Sequence, residues 1–222
     1  ARSLVGDEYD DVLSQYVTVA GETGQEDSAQ SFATVQNDTT DLIERREEFD
    51  TTHDEYEEAV AEGDTQRARQ KARELGRLAT EVDTLAVRLD ANLETIENAT
   101  GSDLDAVQNN IETAQLETTE TANEAIQAEL TITTITATAT PSTFSFQNAT
   151  QMTGTLRTAN GTPISNEAAT IQVGERSYEV ETDADGNYTL TYRPVFLPAN
   201  TTSVPVEFRP ADSSPYLPAN TT

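Results

Sequence analysis

The chain has 222 residues, enough for one large domain or two modest ones, each with its own core. It contains 40 acidic and 13 basic residues, for a net charge of −27, and Lys71 is its only lysine. This charge excludes most nucleic-acid and anionic-membrane binding, because either partner would be repelled. Cysteine is absent, which excludes disulfides, thiolate metal sites and thiol nucleophiles.

The acidic residues are concentrated in residues 1–130, which carry −23 of the net charge. This composition is also typical of disorder, but apolar residues recur at helical spacing and favour a folded structure. Many carboxylates with almost no lysine resemble the pattern of haloarchaeal proteins, and the resemblance implies adaptation to molar salt. At about 1 M salt the Debye length is only ~3 Å, so we expect folding to depend on salt.

Four amphipathic segments predict helices in this half. The first helix has its apolar residues on one face: Val5, Tyr9, Val12 and Tyr16. The second spans residues 28–62, and Thr39, Arg46 and His53 take positions that a heptad would fill with apolar residues. The apolar stripe of this helix is predicted to face the core as far as Val60.

The third helix, residues 65–99, has the strongest apolar stripe in the chain. Gly63 ends the helix before it and Asp64 begins it, while Gly101 follows its end. Ser102 caps a fourth helix. Short links between long helices predict an elongated antiparallel bundle over residues 1–130.

Five of the nine basic residues in this half follow the Gly63 link and face an acidic run: Arg67, Arg69, Lys71, Arg73 and Arg77. Antiparallel pairing about the link predicts three contacts: Glu58 with Arg69, Glu55 or Asp54 with Arg73, and Asp50 with Arg77. We interpret this cluster as a hairpin clamp in preference to an anion-binding patch.

From residue 131 onward the apolar period changes to two. Short strands are predicted at residues 131–138, 145–146, 152–158, 169–173, 177–182, 188–192 and 203–208. Their spacing favours an antiparallel sandwich. The segment Asn160-Gly-Thr-Pro163 predicts a bend before a strand, and Asp183-Ala-Asp-Gly-Asn187 predicts a hairpin tip whose glycine has positive φ.

Three stretches of this half carry a family resemblance: NGTPISNEAATIQV, TDADGNYTLTYRP and VEFRPADSSPYLPANTT. They resemble the extracellular immunoglobulin-like modules of bacterial and archaeal surface proteins, including carboxypeptidase-regulatory-like repeats. The resemblance implies an immunoglobulin-like β-sandwich over residues 131–222 that acts as a spacer, adhesion unit or filament building block. A further strand usually follows in that family, so we expect this fragment to lack the last strand, through truncation or through donation by another chain.

Seven asparagines lie in Asn-x-Thr sequons: Asn37, Asn98, Asn148, Asn160, Asn187, Asn200 and Asn220. This number exceeds what the Ser and Thr content alone would produce, and it indicates an exported glycoprotein with N-linked glycans. No apolar run reaches the roughly 18 residues of a membrane span, and no signal region is present. We therefore expect the targeting and anchoring segments to lie outside this fragment.

Few residues have side chains that suggest catalysis or metal binding. His53 is the only histidine, which leaves no basis for a His-based triad or metal site, and no cofactor is indicated. Asp183, Asp185 and Asn187 alternate like the first ligands of a Ca²⁺ loop, but the downstream Glu of an EF-hand is missing. A hairpin turn is the favoured interpretation, with Ca²⁺ binding as the alternative.

These observations predict a non-catalytic protein of the extracellular cell surface. In the favoured hypothesis a helical stalk or assembly domain presents the immunoglobulin-like module to protein partners or to further copies. An alternative is an extracellular ligand-binding or sensing module with a pocket between helices, for which Arg46 and His53 are the only hints. Another is the non-catalytic ectodomain of a larger membrane-bound hydrolase.

Overall fold

A computed structural model describes residues 26–101, 103–142, 146–195 and 201–222. The chain divides into two compact units between Ala128 and Glu129. The first is helical and the second is built from antiparallel strands, which confirms the predicted order of helices followed by sheets. The helix predicted over residues 5–16, the cap at Ser102, Ser145 and the sequon at Asn200 lie outside the described residues.

The helical unit contains α1 (Glu26–Glu62), α2 (Thr65–Thr100) and α3 (Asp105–Glu129). Gly63 has a φ of 73°, and the Asp64 carboxylate accepts the Arg67 N–H at 3.1 Å, so the predicted stop and N-cap are confirmed. Gly101 closes α2 with left-handed φ and donates its N–H to the Glu97 carbonyl. Among the described helices, none has an apolar stretch long enough to cross a bilayer.

The three helices share a core supplied mainly by α2. Its fully buried large side chains follow the predicted stripe: Leu75, Leu78, Val82, Leu89, Leu93 and Ile96. From α1, Val35, Leu42 and Phe49 pack inward. Val60 was predicted to do the same but is 49% exposed, and the neighbouring Ala59 is buried instead. A straight helix drifts by about 20° per heptad, so a stripe counted in sevens loses its phase towards the end of α1.

The α1–α2 hairpin is present, but Glu58 and Arg77 pair with other residues than those predicted. Four ion pairs join the two helices near the link: Arg67 with Glu58 at 2.7 Å and with Glu62 at 3.4 Å, Lys71 with Glu55 at 2.5 Å, and Arg77 with Glu48 at 3.6 Å. The predicted pairing of Glu58 with Arg69 is wrong, and the buried Nε of Arg69 has no partner among the described residues. The number of residues from the link predicts which residues of the two helices lie at the same level along the hairpin. It does not predict the rotation of each helix about its own axis, and that rotation decides which of the nearby basic side chains faces a given acid.

The clamp predicts a pH-dependent contribution to stability. The hydrogen bond from Lys71 lowers the pKa of Glu55, and the hydrogen bond to Glu55 raises the pKa of Lys71. Because the pKa of Glu55 falls on folding, its contribution is complete above the ordinary value of 4.5 and is lost as the pH falls through the lowered value. We expect Glu55→Gln to lower the free energy of unfolding near neutral pH and to have no effect in strong acid.

The matched control for this prediction is Glu94→Gln, on the exposed face of α2 and without an ion pair among the described residues. Denaturant unfolding of both variants across an acid-to-neutral pH series, at one fixed salt concentration, measures the difference. An equal pH dependence for the two variants would contradict the clamp.

Eight strands form the β unit: β1 (Thr133–Ile135), β2 (Thr138–Thr140), β3 (Thr150–Thr158), β4 (Ala168–Val173), β5 (Arg176–Glu181), β6 (Asn187–Tyr192), β7 (Val206–Arg209) and β8 (Ala219–Thr221). One antiparallel sheet contains β1, β2, β3 and β6, and the other has the order β5-β4-β7-β8. Phe146, predicted to lie in a strand, lies in a bend and is 52% exposed.

Side chains from both sheets meet in one hydrophobic cluster. Along β6 the burial alternates strictly, with Tyr188, Leu190 and Tyr192 inside and the residues between them exposed. Ile171 of β4 and Phe208 of β7 are fully buried in the same cluster. Alternate residues of β6 therefore face the core, as the period of two of a β-strand requires.

The predicted strand at residues 131–138 is interrupted at Thr136. The register continues across the gap, with Ile135 opposite Leu156 and Thr138 opposite Thr153. Between them, the Thr136 carbonyl accepts the Tyr188 hydroxyl at 2.8 Å, and the Thr136 hydroxyl accepts the Thr155 N–H at 2.9 Å. The side chain thus replaces the backbone acceptor that the ladder loses.

Gly154 makes this interruption sterically feasible. A Cβ at this position would lie 1.9 Å from the Thr136 carbonyl oxygen and 2.6 Å from the Tyr188 hydroxyl oxygen. Only glycine lets the backbone approach this closely within a strand.

Both predicted turn segments contain a glycine with positive φ. Gly161 and Gly186 have φ of 88° and 76°, which confirms the expected backbone conformation at Gly186. The hairpin prediction for Asp183–Asn187 is wrong, because β5 pairs with β4 whereas β6 pairs with β3. The segment therefore links the two sheets, and a two-residue turn that begins with Gly174 forms the hairpin between β4 and β5.

Tyr188, which is buried, and Tyr178, which is half-buried but has a buried hydroxyl, give opposite predictions. Tyr188→Phe leaves the Thr136 carbonyl without its donor, so we expect a loss of about 1–2 kcal/mol in stability. Tyr178→Phe removes a buried hydroxyl that has no partner among the described residues, so it should be neutral or stabilising. Hydrogen exchange of β3 and β6 peptides in the whole chain measures both effects, and faster exchange in the Tyr178 variant alone would refute the assignment.

Candidate functional site

Arg46 makes polar contacts both within α1 and with α3. Its Nη1 donates to the Ala114 carbonyl at 3.0 Å and to the Thr118 hydroxyl at 2.8 Å, both on α3. Its Nε donates to Asp50 at 3.0 Å, and its guanidinium carbon lies 5.9 Å from the centre of the Phe49 ring. The side chain of Arg46 is 25% exposed and Thr118 is fully buried. Arg46 therefore ties α1 to α3 through the interior of the bundle.

A second polar contact ties α1 to α2. Asp38 is 4% exposed, and its carboxylate accepts from Arg88 at 2.6 Å and from the Asn92 amide at 3.1 Å. A buried carboxylate is costly unless it is paired, and here both partners come from the opposing helix. Thr39, beside it, is 6% exposed and donates to the Val35 carbonyl of its own helix. Two polar positions of the α1 stripe, Thr39 and Arg46, are thus hydrogen-bonded within the unit.

His53 lies in a small group of metal-ligating side chains. One ligand atom from each of His53, Asp54 and Glu57 lies within 4.8 Å of the others, and the His53 ring centre is 6.3 Å from that of Tyr56. A second group, Glu97 with Asp103 and Asp105, lies where α2 ends and α3 begins. In both groups the acids are largely exposed, as expected for solvated carboxylates in so acidic a chain.

The predicted Ca²⁺ ligands lie in the link between the sheets, where Asp183 organises the turn. One carboxylate oxygen accepts the backbone N–H groups of Asp185 at 2.9 Å and Asn187 at 2.8 Å. The other oxygen accepts the Asn187 side-chain amide at 2.9 Å. These bonds, led by the one from the Asn187 side chain, lower the pKa of Asp183. These hydrogen bonds are those expected of a turn, and Ca²⁺ binding stays a prediction.

Grooves occur on both units. In the helical unit one of about 350 Å³ lies between α1 and α2, lined by Asp41, Glu44, Arg45, Glu81 and others, and a similar one lies between α2 and α3. A cleft of about 570 Å³ at the β4–β5 turn has Val173, Tyr192 and Val204 in its lining. Arg46 is absent from the lining of these grooves, since its donors are directed at α3.

The six sequon asparagines among the described residues all have exposed side chains: Asn37, Asn98, Asn148, Asn160, Asn187 and Asn220. Asn37 and Asn98 lie within helices, Asn187 and Asn220 within strands, and Asn148 and Asn160 in a bend and a turn. Exposure meets the first requirement for modification at each position.

Sequence reasoning recognised Arg46 as out of place but missed its partners. Ala114 and Thr118 gave no signal, because a carbonyl and a helical threonine become partners only when α3 packs against α1. Asp38 was likewise one acid among 40. Its contact with Arg88 depends on how α1 and α2 face each other.

Substitutions of Arg46 and of its neighbour Arg45 test whether the contact of Arg46 with α3 stabilises the helical unit. We expect Arg46→Met to lower the free energy of unfolding by about 1–3 kcal/mol, because it leaves the Ala114 carbonyl and the Thr118 hydroxyl without their charged donor. Arg45→Met should cost less and lose its effect at high salt, since Arg45 pairs with Glu48 and Glu81 at the surface. Denaturant unfolding at low and at molar salt measures both. Salt should weaken only the part of the Arg46 effect that comes from the exposed Asp50 and Glu117, so complete loss of the effect at molar salt would argue against an interior tie.

Comparisons with known protein families, curated proteins and solved structures find no match to this chain.

Proposed function

We propose that this chain is a non-catalytic structural or interaction protein of the cell surface. Its helical unit acts as a stalk or assembly domain, and its β unit is an immunoglobulin-like module presented to protein partners or to further copies. The observation that carries the proposal is the set of hydrogen bonds that Arg46 makes within the helical unit. Arg46, which would have been the anchor of a ligand pocket, is instead bonded to Ala114 and Thr118.

Three further observations support the proposal. Helices of 37 and 36 residues are long enough for a stalk, about 55 Å at 1.5 Å per residue. Two antiparallel sheets that share one core favour the immunoglobulin-like assignment, which came from a resemblance in the sequence. Exposure of every described sequon asparagine favours an exported glycoprotein.

Ligand binding between helices has less support. The grooves of the helical unit are open to solvent and their linings include acidic side chains such as Glu44 and Glu112, whereas small-molecule sites enclose most of the ligand. For the same reason we favour the structural role over a sensing module.

Location is tested by treating intact producing cells with trypsin. The helical unit offers cleavage sites at the exposed Arg77 and Arg88. If the chain faces outward, its peptides are released while a cytoplasmic marker protein stays intact. Release only after lysis would overturn the surface location.

Salt adaptation makes a separate prediction about the helical unit. Residues 1–130 carry −23 and residues 131–222 only −4, so screening should act mainly on the helices. The Debye length falls from about 10 Å at 0.1 M to about 3 Å at 1 M, which removes most repulsion between neighbouring surface carboxylates. We expect helical circular dichroism to rise steeply between these concentrations, while hydrogen exchange in β3 and β6 changes little.

Sucrose is the control for this salt series, because it stabilises compact states without screening charge. Full helicity at 0.1 M salt, or an equal gain in sucrose, would contradict salt adaptation of this unit.

A further inference from the structure

We infer that Asn160 is the glycan acceptor of this chain among its six described sequons, and that Asn37 and Asn98 stay unmodified. The inference rests on the proposed function, because N-glycosylation requires export of the chain. It goes beyond that proposal by using local structure to separate one sequon from others that are identical in motif and equally exposed.

Asn160 lies in the turn after β3, and both its side chain and that of Thr162 are exposed. The carboxamide oxygen of Asn160 accepts the Thr162 hydroxyl at 3.0 Å, the Thr162 N–H at 3.3 Å and the Thr158 hydroxyl. Its Nδ2 donates to no acceptor among the described residues. The side chain is thus held by its oxygen while the nitrogen faces solvent.

This arrangement suits the chemistry of N-glycosylation. The donor is a lipid-linked sugar, bonded at its anomeric carbon to a phosphate or pyrophosphate. The carboxamide nitrogen forms a bond to that carbon, the carbon–oxygen bond to the phosphate breaks, and the lipid phosphate leaves with the electron pair. One amide proton passes to a base of the transferase. The reaction needs an accessible nitrogen, and recognition needs an accessible hydroxyl on the third sequon residue.

The helical sequons lack this accessibility. Asn37 is exposed, but Thr39 is 6% exposed and its hydroxyl donates to the Val35 carbonyl at 2.7 Å. Asn98 lies in the last turns of α2, whose backbone is held by helical hydrogen bonds up to Gly101. A transferase could read either sequon only by unwinding a helix whose other face is core, where Val35 and Ile96 are fully buried.

Each of the remaining described sequons of the β unit has one feature that restricts access by a transferase. Thr150, the third residue of the Asn148 sequon, is 1% exposed. The Asn187 amide is engaged by Asp183 at 2.9 Å. Asn220 lies in β8, opposite Glu207 of β7. Asn160 therefore combines an exposed asparagine, an exposed threonine, a free amide nitrogen and a backbone outside helix and strand.

The test is glycopeptide mass spectrometry on the whole protein purified from the cells that produce it. The expected result is a glycan on most copies at Asn160 and bare asparagine at Asn37 and Asn98. Occupancy at any other described sequon equal to that at Asn160, or bare Asn160, would overturn the inference.

Matched variants add a measurement on the intact chain. Asn160→Gln should remove the mass of one glycan, and Asn37→Gln should leave the mass distribution of the glycans unchanged. Because Asn160 also holds its turn, Thr162→Ser and Thr162→Val provide a second pair: serine keeps the sequon and should retain the glycan, whereas valine should lose it. Circular dichroism confirms that each variant is folded.

The trypsin experiment on intact cells separates this inference from the proposed function. An outward-facing chain with bare Asn160 overturns the choice of acceptor and leaves the surface role standing. A chain protected inside the cell overturns both.

Discussion

Repulsion among carboxylates is the constraint that shapes the helical unit. With 32 acidic and nine basic residues up to residue 130, the helices must be held together by burial of apolar side chains and by careful use of the few bases. Lys71 and Arg67 lie beside the α1–α2 link and each bridge to an acid of the opposing helix. Exposed pairs of this kind each contribute little, so the continuous apolar stripe of α2 must supply most of the stability.

Polar groups inside the unit specify how the helices face one another. Asp38 contacts Arg88 and Asn92 of α2, and Arg46 contacts Ala114 and Thr118 of α3. Moving α2 by one turn would leave the buried Asp38 carboxylate without its partners, and moving α3 would separate Arg46 from the buried Thr118. The same contacts direct Arg46 away from the grooves, which links the packing of this unit to its proposed structural role.

The β unit depends instead on a close backbone contact. Tyr188 donates to the Thr136 carbonyl, which lies against Gly154, and burial raises the pKa of Tyr188 to about 12. This contact interrupts one strand without changing its register. The start and end of the unit are also joined, since Thr131 donates to the Pro215 carbonyl and Leu217 donates to that of Thr131.

The sequence alone determined that a helical half precedes a half built from β-strands, the bounds of α1 and α2 to within a few residues, and the inward-facing residues of α2. These features follow from periods of 3.6 and 2 and from capping residues such as Gly63 and Asp64, all of which act over a few neighbouring positions. The tertiary structure alone decided that Lys71 pairs with Glu55, that Arg46 reaches Thr118, and that the Asp183–Asn187 turn joins two sheets. Those outcomes depend on helix rotation and strand pairing between residues far apart in the chain, for which a single sequence carries no local signal.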